Sequence, residues 1–244
     1  MIKTVIIFLR DLLPVFILFA YLQSLYPAFF KIKMSSVWKG LGAALVVISV
    51  KPLLELSNDW FDGTGPEWVS ICLILVVVTG MLLLTSALNR YRPAVIWTTI
   101  ICFTGLKFSS FLLYFSVEMT TSDSLGALIV SSVMGLGICV SFYILWSFVL
   151  NEVYGFKPAF VGACISMFVA GQAAKVVNHL HQIDAISIGS NRLGSVEHYI
   201  SEQSELGHIL KALVGFESVP SQLFIVVYVL TAIAVFTNFY RNKI

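Results

Sequence analysis

The segment Leu9-Arg10-Asp11-Leu12-Leu13-Pro14-Val15-Phe16-Ile17-Leu18 sets a guanidinium beside a carboxylate inside an apolar run reaching from about residue 4 to 26. Read as an α-helix, at about 1.5 Å per residue, the run is long enough to cross the ~30 Å of hydrocarbon in a bilayer. A charge at such depth costs at least ~2.5–3.5 kcal/mol. Two adjacent charges there must be paired or put to use. They also break the run where the apolar core of a signal peptide would continue. No small-residue cleavage site follows, so the run is expected to persist as a span.

Six further apolar stretches pass the same length test, at roughly 37–55, 68–89, 94–116, 124–150, 159–180 and 219–240. The composition agrees. Of 244 residues, 58 % are hydrophobic and 11 % charged, with a mean hydropathy of +0.92, whereas a soluble domain carries about 25 % charged residues. That excludes a nucleic-acid binder, a disordered chain and a disulfide-stapled secreted domain. Cys72, Cys102, Cys139 and Cys164 lie in apolar runs without paired spacing and read as small core hydrophobes. With no phosphate loop, catalytic triad or nucleotide site, the chain is not expected to be an enzyme. The expected fold is all-α, a single polytopic membrane domain of seven transmembrane helices.

The connections alternate in charge. Lys31, Lys33, Arg90, Arg92 and Lys157 mark one side, with Arg241 and Lys243 in the tail; Asp59, Asp62, Glu67, Glu118, Asp123 and Asp184 mark the other. Basic residues accumulate on the cytoplasmic side, which puts the amino terminus outside and the carboxyl terminus inside. The long connection 181–218 carries an amphipathic stretch, Ser201 to Val214, expected on the outer surface or folded into the bundle mouth. Lys51 and Lys175 lie near outer ends and are expected to snorkel. Asp11 and Lys107 share a similar depth with opposite sign, so they are expected to form an ion pair. Ser131, Ser132, Gly135 and Gly137 suit close helix packing.

Four stretches carry a family resemblance: Leu9-Arg10-Asp11-Leu12-Leu13-Pro14; Phe103-Thr104-Gly105-Leu106-Lys107; Ala170-Gly171-Gln172-Ala173-Ala174 through Asn178-His179-Leu180-His181; and Ser201, Ser204, Gly207, Leu210, Gly215-Phe216 and Pro220-Ser221. The chain resembles the high-affinity iron permeases, the fungal ferroxidase-coupled permeases and their bacterial ferrous-iron relatives. The first two stretches look like two copies of that family's Arg-Glu-Gly-Leu-Glu signature. The resemblance implies inverted three-helix repeats (about 4–90 and 94–180), an outer loop with its amphipathic helix (181–218) and a last helix (219–240), with a site where the halves meet.

The resemblance also implies a function: moving iron or a related metal cation across the cytoplasmic (inner) membrane. Iron is then a substrate, with no resident cofactor. The partners are the lipid bilayer and a ferroxidase or periplasmic metal carrier, with no nucleic acid. Arg10, Asp11, Thr104 and Lys107 hold the motif positions, and Asp11, His179 and His181 are the metal candidates. Pro14 stands for the second motif glutamate, Thr104 and Lys107 for the second pair, and Phe224 where relatives carry an acid. The alternative is a non-transporting permease-fold subunit or scaffold in which an Asp11–Lys107 pair replaces the metal site. Haem between histidines is disfavoured, because His179 and His181 share one span.

Overall fold

A computed structural model describes residues 2–27, 29–30, 57, 63–86, 92–121, 125–186 and 204–241. The expected span at 37–55, Lys31, Lys33, Lys51, Asp59, Asp62, Arg90, Asp123, Ser201 and Lys243 lie outside them. The described residues are all-helical. The first span is α1 (Ile2–Ile7), a π-helical turn (Phe8–Leu12) and α2 (Leu13–Leu25). After it come α3 (Gly65–Thr85), α4 (Arg92–Thr121), α5 (Leu125–Phe156), α6 (Pro158–Gln182), α7 (Glu205–Val214) and α8 (Gln222–Arg241). Six of these runs are long and apolar enough to cross a bilayer. Pro66, Pro93 and Pro158 stand in the first turns of α3, α4 and α6, where a missing N–H costs no helical bond.

The apolar surface is turned outward on two helices. Val133, Ile144, Leu145 and Phe148 on α5, and Val226, Leu230 and Ile233 on α8, are each more than half exposed. Such belts suit lipid and would be a liability in water. The bundle is a multi-pass membrane protein. Its centre is α6, which packs on α8, α3, α7 and α5. Small residues let neighbours approach closely: a Cβ on Gly162 would lie 2.4 Å from the Phe239 ring, and one on Gly135 2.7 Å from that of Phe8. The close-packing expectation thus holds at Gly135, whereas a Cβ on Gly137 would meet open space.

Helix directions follow from two contacts. Tyr26 donates its hydroxyl proton to the Leu84 carbonyl, so α2 and α3 end side by side. Glu67, at the start of α3, meets His179 near the end of α6. The first span and α3 therefore run parallel, and α6 runs against both.

Candidate functional site

Pro14 sets the local geometry. It has no N–H to give the Arg10 carbonyl, and in a regular helix its ring would crowd that group. The chain answers with the widened turn: the Leu13 N–H reaches back five residues to the Phe8 carbonyl. Single π-turns of this kind occur often at functional positions. Arg10 and Asp11 sit in it, paired as a two-pronged fork, Nε to Oδ1 at 3.1 Å and Nη2 to Oδ2 at 2.9 Å. Asp11 is only 5 % exposed.

The amphipathic segment is folded into the bundle mouth. Its helix, α7, begins at Ser204, whose Oγ accepts the Gly207 N–H at 3.0 Å, and ends at Gly215 in the left-handed conformation (φ +71°). Gly171 of α6 takes the far side of that seam. A Cβ there would lie 2.5 Å from the Gly215 Cα, so two backbones meet where no side chain fits. Tyr228 of α8 donates to the Val214 carbonyl at 2.9 Å and holds the seam from outside. Ser204, Gly207 and Gly215 thus cap and seat one helix, while Phe216 and Pro220 border an apolar groove between α7 and α8.

The π-turn, α4, the end of α6 and α7 enclose a cavity of about 240 Å³. Four basic side chains line it: Arg10, Lys107, Lys175 and Lys211. Two carboxylates join them, and both are engaged. Asp11 is held by Arg10, and Glu217 accepts from Asn178 Nδ2 at 2.6 Å. His179 is also in the wall, its Nδ1 against the Glu67 carboxylate, with His208 across from it on α7. Two ammonium groups about 8 Å apart at an effective dielectric of about 20 repel by about 2 kcal/mol. Basic groups thus outnumber carboxylates in the lining, an arrangement better matched to an anion than to a cation.

Several sequence expectations change here. Asp11 and Lys107 do share the cavity, but they do not form the expected ion pair; the carboxylate is taken by its neighbour Arg10. Lys175 does not snorkel away. It faces the cavity and donates to Gln172 Oε1 at 3.2 Å. Asp11 and His179 line the cavity, whereas His181 is not among its lining residues. No three His, Cys, Asp or Glu side chains among the described residues come together as a metal-binding group. Lys211, His208, Glu217 and Asn178 were not singled out as site residues. The one signal for Lys211 was its place on the polar face of an otherwise apolar helix.

Beneath the cavity the bundle closes. Tyr21, Phe103 and Phe168 are wholly buried; Phe168 meets Tyr21 at 5.4 Å and Phe103 at 5.9 Å between ring centres. Thr104 Oγ and Gln172 Nε2 are also buried, without hydrogen-bond partners among the described residues. Each such orphan costs about 1–3 kcal/mol. Comparison of the chain with protein-family models, with curated proteins and with solved structures finds no match, so the iron-permease resemblance rests on the quoted residues alone.

Proposed function

We propose that this chain is an anion permease: it draws a small anionic solute into a basic vestibule within the membrane and passes it toward the opposite face. The observation that carries the reading is the set of four basic side chains around one cavity whose two carboxylates are already engaged. Intramembrane charges that face a polar cavity mark solute pathways, and broken spans are the usual place for such sites. The first span is broken at Arg10 and Asp11.

A metal cation is a poor guest for the same cavity. A hard cation needs several oxygen ligands with compensating negative charge, and here ammonium groups outnumber carboxylates. Two parts of the permease-like architecture keep their support. Parallel neighbours, such as the first span and α3, need a return crossing between them, which supports seven crossings rather than six. The first span and α4 both contribute to one cavity, as inverted repeats meeting at a central site would. By the distribution of Lys and Arg, the vestibule opens to the outside.

The test is flux in proteoliposomes. Phosphate and iodide uptake should exceed protein-free vesicles and collapse in a Lys107→Met, Lys175→Met double variant, while ferrous and manganous uptake stay at background. Metal uptake without anion flux would overturn the reading.

A further inference from the structure

Thr104 precedes Lys107 by three residues on α4, and Gln172 precedes Lys175 by three on α6. On a helix that spacing puts each polar side chain one turn below a vestibule lysine, on the same face. The Gln172 amide is 2 % exposed and half used: Oε1 accepts from Lys175 while Nε2 has no partner among the described residues. Thr104 Oγ is likewise unpartnered. A helical threonine ordinarily bonds a carbonyl of the preceding turn, as Thr98 does with Ala94 at 2.9 Å. Below both lies the aromatic floor of Tyr21, Phe103 and Phe168. Neither side chain lines the cavity itself; each is an uncharged donor, without an acceptor among the described residues, one helical turn from a lysine that does.

We infer that Thr104 and Gln172 form an inner station that receives an oxyanion of the phosphate class from the lysines and prefers it to a halide. The inference rests on the anion reading above and names its substrate class. Ammonium groups attract any anion by charge alone. A tetrahedral oxyanion also presents several oxygens with directed lone pairs, and these are matched by donors from several directions. The amide N–H and the hydroxyl supply two such donors without adding charge, so they select by shape and hydrogen bonding. The phosphate can be a free ion or the end of a lipid; the donors would recognise the same group.

The full chain in phosphatidylcholine nanodiscs is titrated calorimetrically with inorganic phosphate and with chloride, then again in discs containing phosphatidic acid. Thr104→Val removes the hydroxyl alone, and Gln172→Leu removes the amide donor together with the Oε1 that accepts from Lys175. Each should weaken phosphate about tenfold; Thr104→Val should leave chloride unchanged, with thermal stability held or raised because an orphaned donor is gone. Thr104→Ser, which keeps the hydroxyl, should retain phosphate affinity. Competition by phosphatidic acid supports a lipid-borne phosphate as the guest, and its absence supports the free ion. An unchanged preference for phosphate over chloride in both donor-deleted variants overturns the inner station while leaving the vestibule standing. A wild-type chain that binds neither anion overturns both.

Discussion

The first span behaves as two different helices on either side of Leu12. From Phe8 to Leu12 the turn is widened and carries a half-buried ion pair into a basic cavity. From Leu13 onward it is a regular α-helix, with Leu13, Ile17, Leu18 and Leu22 fully enclosed in the core and Tyr21 in the aromatic floor. Both halves are buried, yet burial does opposite work in each. In the second half it releases free energy through apolar contact. In the first it raises the cost of every charge and so concentrates the attraction for a counter-ion.

The contrast can be broken most directly at the floor. Phe168→Ala should cost about 3–5 kcal/mol of stability, seen as a large drop in unfolding temperature in detergent. A change within error would mean that the aromatic cluster is not a packed barrier. The seam comes next. Gly171→Ala pushes a methyl into the Gly215 backbone, where neither side can yield as a rotamer would. It should cost about 1–3 kcal/mol and also weaken anion binding, because Lys211 and His208 ride on the displaced helix. A stable variant with full binding would show that α7 does not need this seat.

The charged half should respond with mixed signs. Asp11→Asn leaves Arg10 without its carboxylate and is expected to destabilise by about 1–3 kcal/mol, while anion affinity measured by calorimetry rises. If affinity falls, Asp11 contacts the guest rather than restraining Arg10. The smallest stability effect is at Lys107→Met, which relieves repulsion among the cations. It should leave the unfolding temperature equal or slightly higher, by about 1 kcal/mol or less, yet cost about tenfold in anion affinity. Loss of both stability and binding would identify Lys107 as a structural ion-pair member and end its role as a vestibule cation.

The spans were legible because their signal is one-dimensional: about 20 apolar residues in a row need no partner to be recognised. All six spans expected within the described residues are present, and Ser201 to Val214 contains the helix at Glu205–Val214. The site was only half legible. Asp11 and Lys107 stood out because depth can be counted along each helix. Lys175 was misread as snorkelling, because a lysine near a helix end can turn either way, and only its neighbours decide which. The π-turn was also missed, although Pro14 four residues after Arg10 was its cause.

The order of residues alone determined that this is a helical membrane protein with ionisable groups at improbable depth, since transfer costs depend on residue type and run length. Tertiary structure decided the sign of the site. Charge at a point in space is a sum over helices far apart in the chain. Only when α4, α6 and α7 close around the broken first span do Lys107, Lys175 and Lys211 join Arg10 in one cavity and outnumber its carboxylates.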